Sequence, residues 1–174
     1  ASRGLGDVYK RQDDIYEKTE KKKAVITFDD GWMDAYMNAY PFLKRYNIPF
    51  TVYITTNFIG KEGYIGNSEL KVYSEDPLVT IGFHTQSHSK LRYENNMQKE
   101  IFLSRKELEK KVGKAILFFA YPYGKLYTIG LRSIFFTQKI DYKNAVGTID
   151  TSLTCFSMLF RYYCLLYTSD AADD

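Results

Sequence analysis

The sequence is poor in several residues that usually announce a function. It has two cysteines in 174 residues, and neither lies in a Cys-x-x-Cys pair, which excludes a disulfide framework. It has a single tryptophan, Trp32, and only two histidines, His84 and His88. The net charge of +3 is too small for a nucleic-acid-binding surface, so no nucleic-acid partner is expected. No apolar run approaches the roughly 20 residues a membrane-spanning helix needs, and the sequence as it stands holds no such helix. Internal repeats and low-complexity tracts are absent. What is abundant is tyrosine, with 16 residues. Tyrosine-rich clefts suit sugars, and the codon bias of an AT-rich genome gives the same enrichment. With 45% hydrophobic and 26% charged residues, the composition is that of one globular domain or a piece of a larger one.

Both ends read as foreign to the protein. Residues 7–12, DVYKRQ, back-translate to the mosaic end of a transposase library adapter, and 2–6, SRGLG, to its upstream part. Residues 164–169, CLLYTS, fit the reverse complement of the mosaic end, and 170–174 the companion adapter. Such segments are set aside before fold reasoning. The expected division is therefore 1–12 adapter-derived, 13–163 the natural domain, truncated at its C-terminal side, and 164–174 adapter-derived.

Within 13–163, short apolar runs alternate with helical patterns. Residues 24–28 (AVITF), 50–54 (FTVYI), 78–83 (LVTIGF), 115–120 (AILFFA) and 144–149 read as buried strands. Residues 38–46 read as a helix with Pro41 in its first turn and Ala39, Leu43 and Tyr46 on one face. Residues 68–73 suggest a short helix capped by Ser68. Residues 95–111 are the clearest helix, with Met97, Ile101, Leu108 and Val112 on one face, charges on the other, and Gly113 as the stop. Residues 127–140 predict one further helix. Apolar strands alternating with helices mean a parallel sheet covered by helices. Residues 150–163 show no clear period, and 159–163 would expose apolar surface.

Three short motifs sit at the expected C-terminal ends of strands, where parallel α/β folds carry their sites. The first is Thr27-Phe28-Asp29-Asp30-Gly31. Adjacent carboxylates repel unless a cation or divided protonation relieves them, and Gly31 permits the sharp turn that would aim them into a cleft. The second is His84-Thr85-Gln86-Ser87-His88. Spacing i, i+4 can put both imidazoles on one helical face against one metal. The third, Ala120-Tyr121-Pro122-Tyr123-Gly124, fixes a turn that can present a backbone N–H. Taken singly, Asp-Asp-Gly is more often a solvated turn, a histidine pair more often a surface feature, and an aromatic-Pro turn a structural one. Asp30 with both histidines, however, is a complete open-site ligand set for Zn²⁺ or a similar divalent metal.

Together, TFDDG, HTQSH and YPYG in this order resemble the polysaccharide deacetylase family with the NodB homology domain (carbohydrate esterase family 4), over residues 24–149. The resemblance implies an α/β fold, a partial, distorted (β/α) barrel truncated after about five strands. It implies a metal-dependent hydrolase that removes N-acetyl groups from a cell-surface or exported polysaccharide. Asp29 matches the catalytic base, Asp30, His84 and His88 the metal ligands, and Tyr123 the residue whose backbone N–H helps hold the oxyanion. Zn²⁺ is the first expectation, with Co²⁺ or Ni²⁺ comparably suited. The implied partner is an acetylated polysaccharide, with no protein partner, and the implied location is extracytoplasmic, secreted or membrane-anchored. This sequence departs from the family in three places. Ala120 stands where an orienting Arg is common, no Trp-containing fourth motif is evident in 150–156, and no third histidine supplies the general acid. The fragment itself is therefore expected to be inactive. An O-acetyl esterase acting on xylan or a similar glycan, a glycan-binding pseudoenzyme, and a barrel with a merely structural Asp-His-His cluster are the alternative readings.

Overall fold

The computed structural model describes residues 9–16 and 24–148. Five parallel strands form one sheet: β1 (Ile26–Phe28), β2 (Phe50–Ile54), β3 (Val79–Phe83), β4 (Phe118–Ala120) and β5 (Asn144–Val146). Their spatial order is the sequence order, β1-β2-β3-β4-β5. A doubly wound sheet reverses direction at a switch point, whereas a barrel adds each strand beside the last. The uninterrupted order therefore makes this part of a (β/α) barrel, as the resemblance implies. The best-registered pair is β2 with β3, from Phe50 opposite Val79 to Ile54 opposite Phe83.

The two faces of the sheet separate by the period-two rule for strands. Phe50, Val52 and Ile54 join Phe83 and Phe119 in the main apolar core under the helices. Tyr53, Phe118, Ala120 and Val146 form a second cluster on the opposite, inner face. There the Tyr53 hydroxyl donates to Gln12 Oε1 (2.7 Å), and Gln12 is buried.

The helices are α1 (Tyr40–Arg45), α2 (Asn67–Glu75), α3 (Ser104–Val112), α4 (Leu126–Ile129) and α5 (Leu131–Gln138). α1 and α3 are entered through wider π-type turns, Ala35–Ala39 and Gln98–Leu103. Pro41 sits in the first turn of α1, as expected. Met97, Ile101, Leu108 and Val112 are all buried, and the chain leaves α3 through Gly113 in the left-handed region.

Four expectations are corrected. Except for β2, which matches its run, the strands are shorter than the apolar runs, because only part of each run meets a hydrogen-bonded neighbour; residue 149 of the fifth run, like 150–163, lies outside the described residues. Tyr46 is exposed at 46%, and Tyr40 takes the buried place on that helix. α2 begins one residue earlier than Ser68, and Glu69 rather than Ser68 closes its first turn by accepting the Gly66 N–H (2.8 Å). The single helix expected over 127–140 is two helices. Gly130 breaks it with φ 73°, and a Cβ there would lie 2.9 Å from the Arg92 Cα.

Candidate metal centre

The centre is built at the C-terminal edge of the sheet. Asp30 follows β1, with Gly31 at φ 79° turning the chain back so that its N–H donates to the Asp29 carbonyl (2.8 Å). His84 follows β3, and its N–H donates to the Ile54 carbonyl (2.9 Å), which carries the β2–β3 ladder one step past the strands. His88 comes from the loop that follows.

Asp30, His84 and His88 each direct one ligand atom to a common place, all within 4.8 Å of one another. Nε2 of His84 lies 3.9 Å and Nε2 of His88 3.7 Å from Asp30 Oδ1. Atoms bound at about 2.0–2.2 Å to one cation lie roughly 3–4 Å apart, so the three need only a small adjustment to share one. The donor chemistry agrees. His84 is 2% exposed, and its Nδ1 lies 2.8 Å from the Ala120 carbonyl. A carbonyl only accepts, so Nδ1 carries the proton and Nε2 presents its lone pair toward Asp30. That is how metal-binding imidazoles are oriented. Asp30 Oδ1 in turn lies 3.0 Å from Thr55 Oγ1, which is also 3.1 Å from the His84 carbonyl. The residues present therefore fit a divalent cation.

The loop carrying the histidines is not helical, contrary to the i, i+4 expectation. Thr85 and His88 adopt positive φ (67° and 58°), and the Thr85 hydroxyl accepts the His88 N–H (3.0 Å). The imidazoles meet because the loop doubles back. Glu100 holds it there. Its carboxylate accepts the Gln86 N–H (3.1 Å), the Ser87 N–H (3.1 Å) and the Ser87 hydroxyl (2.6 Å), and it is buried.

Tyr123, at φ 61°, places its ring 4.6 Å from that of His88, and Lys90 lies over the Tyr123 ring at 5.4 Å. Asp29 lies half-buried beside Asp30 at the end of β1, outside the group of three ligand atoms. Tyr64 is also close. Its hydroxyl is held above the ordinary tyrosine range by burial and by the charge of Asp30. Thr55, Glu100 and the Ala120 carbonyl belong to the centre without standing in any of the three motifs as side-chain candidates. Thr55, a polar residue at the very end of an apolar strand run, was the one with a visible signal.

A parallel barrel segment with an Asp-His-His cluster at its C-terminal edge defines a class of candidate metal-assisted enzymes. The comparisons with known proteins make this specific. The family model described as polysaccharide deacetylase matches residues 16–142, and the chain belongs to that family. The poly-beta-1,6-N-acetyl-D-glucosamine N-deacetylase of Staphylococcus aureus (strain MRSA252) is 34% identical over 122 residues, covering 62% of this chain and 42% of that protein. A polysaccharide deacetylase from Bacillus cereus superposes with a TM-score of 0.67 at 28% identity, covering 78% of this chain and 42% of that one. The Streptococcus pyogenes deacetylase PplD, in complex with acetate, shares the fold with a TM-score of 0.72 at 23% identity, covering 82% of this chain and 66% of that one. The chain spans less than half the length, 47% and 42%, of the first curated relatives it matches.

Proposed function

We propose that the chain carries the cation-binding and acetamide-binding part of a metal-dependent deacetylase that removes N-acetyl groups from an exported or cell-surface polysaccharide. The observation that carries this reading is the convergence of Asp30 and both histidines on one place at the barrel's C-terminal edge. Membership of the polysaccharide deacetylase family supports it, as does the resemblance to an N-deacetylase of a poly-N-acetylglucosamine. Because such polymers lie outside the cytoplasm, the whole protein is proposed to act there.

Asp30, His84 and His88 would hold the ion, Zn²⁺ first, with Co²⁺ or Ni²⁺ served by the same donors. A cation held there would lower the pKa of water to about 7 and polarise a carbonyl. The remaining work falls to the protein. Asp29 accepts the proton of the attacking water as general base. The Tyr123 N–H donates to the oxygen on which negative charge develops, and losing one such donor typically costs about 2.7–4 kcal/mol. Thr55 keeps Asp30 in place, and the Ala120 carbonyl keeps the His84 tautomer.

Breaking an amide also needs an acid to protonate the departing amine. Both histidines of the chain belong to the centre, so no third imidazole is available. The chain alone is therefore expected to cleave N-acetylglucosamine oligomers poorly. An aryl acetate differs, because its phenolate leaves without protonation. Hydrolysis of 4-nitrophenyl acetate by the zinc-treated chain tests the reading. Chelation and Asp30→Asn should abolish it, and Asp29→Asn should slow it by roughly 10²–10⁴-fold. Hydrolysis indifferent to the chelator and to both substitutions would contradict the assignment.

A further inference from the structure

Trp32 directly follows the Asp30-Gly31 turn and is the only tryptophan in the chain. Its indole stacks on the Tyr64 ring, with centroids 4.2 Å apart and planes inclined by 25°. Backbone hydrogen bonds fasten the stack on both sides. The Met33 N–H donates to the Gly63 carbonyl (2.8 Å), and the Ile65 N–H to the Gly31 carbonyl (2.9 Å). A ring held this firmly has little freedom left to lose on binding. Yet Trp32 is 45% exposed and stands outside both apolar core clusters. Tyr64 covers one face of the indole, and close to half of the residue stays open to solvent.

Ring contacts connect this place to the metal centre. Tyr64 meets Phe58 at 4.6 Å, Phe58 approaches His88 at 6.3 Å, and His88 meets Tyr123 at 4.6 Å. The path ends at His88 and Tyr123, beside the cluster of Asp30 and the two histidines.

We propose that Trp32, backed by Tyr64, is a sugar-stacking subsite that takes a pyranose ring neighbouring the one being deacetylated. The inference rests on the deacetylase reading and deepens it, because it assigns the binding of a second sugar ring of the polymer to a named residue. Such a ring presents one face of weakly positive C–H groups, which match the negative face of an indole. The hydroxyls around its edge stay in water. The stack contributes to binding and takes no part in bond breaking.

The lone tryptophan makes the test direct, because its emission reports this one place. The zinc-treated chain is titrated with N-acetylglucosamine and with a β-linked N-acetylglucosamine oligomer, following emission and, in parallel, heat. The oligomer should shift the emission saturably and the monosaccharide should not. By calorimetry, Trp32→Ala should weaken oligomer binding roughly tenfold, while Trp32→Phe restores most of it, and zinc uptake serves as the folding control. Oligomer binding with unchanged emission, or unchanged affinity in Trp32→Ala, overturns the subsite. So does failure of the oligomer to bind a chain that still takes up zinc, an outcome that leaves the metal centre standing. Failure of both removes the deacetylase reading as well.

Discussion

At the scale of single residues, the centre depends on groups that never touch a substrate. Among the described residues, the non-glycine residues at positive φ are Asp30, Asn47, Thr85, His88 and Tyr123, and all but Asn47 belong to the centre or its loops. Such conformations cost about 1–3 kcal/mol each and persist only where the surroundings enforce them. Here the enforcement is visible: Glu100 ties down the histidine loop, Thr55 bonds Asp30, and the Ala120 carbonyl turns His84. Thr55→Val keeps the shape and removes the hydroxyl. Outer supports of this kind are typically worth about 10–100-fold in metal affinity, so a zinc titration of the variant should show roughly a tenfold loss without loss of fold. An unchanged affinity would mean that Thr55 serves only the backbone. Asp30, His84 and His88 were legible in the sequence as candidates because each lies inside a short local motif, and the structure brings them together. Of their supports, only Thr55 left a trace, as a polar residue closing an apolar run. Glu100 reads as one more charge on an amphipathic helix, and only the return of the loop over that helix turns it into an anchor. Ala120 acts through its carbonyl, which no side-chain pattern reveals.

At the scale of elements, legibility followed burial. β2 was read to the residue because all five of its positions are buried and its run is bounded by Pro49 and polar residues. β4 was read too long, since Ala115-Ile116-Leu117 is apolar yet only Phe118–Ala120 pairs along its neighbours. The break between α4 and α5 was missed because a glycine within a helical pattern is usually tolerated. Gly130 is not such a case. Its φ of 73° with ψ of 148° belongs almost to glycine alone, and the Arg92 backbone closes the space a Cβ would take. Gly130→Ala should therefore destabilise the fold by about 1–3 kcal/mol, seen as a fall of several degrees in the melting temperature followed by circular dichroism. An unaltered melting temperature would show that the turn accommodates a side chain and contradict this reading. The histidine spacing misled in a related way, since i, i+4 suggested a helix where a doubled-back loop brings the rings together.

At the scale of the whole molecule, the consecutive strand order gathers Asp30, Thr55, His84 and Tyr123 on one edge from four successive strand ends, and the fold's stability carries its own pH limits. Burial pushes the Asp76 carboxyl up, but hydrogen bonds from Lys44, the Leu78 N–H and Tyr40 outweigh it and hold the group below the ordinary carboxylate range. Glu109 follows the same balance, with burial opposed by Lys106, the Ile116 N–H and Arg105. A folded pKa below the unfolded one stabilises above the unfolded value, and that contribution disappears as pH falls through the folded one, here below about pH 4. The buried tyrosines set the opposite limit. Burial raises Tyr121 to about 12, and Tyr73 and Tyr142 are raised further by the same cause. Their contribution is intact below the unfolded value of about 10 and is lost as pH climbs above it. Denaturant titrations across pH should show stability falling at both ends, and a curve flat to about pH 11 would contradict the tyrosine argument. The central claim is that Asp30, His84 and His88 grip a single divalent cation. Calorimetric titration of zinc into the intact chain tests it most directly: one ion per chain is expected, with uptake abolished by Asp30→Asn combined with His88→Ala. Stoichiometry and affinity unchanged in that double variant would contradict it.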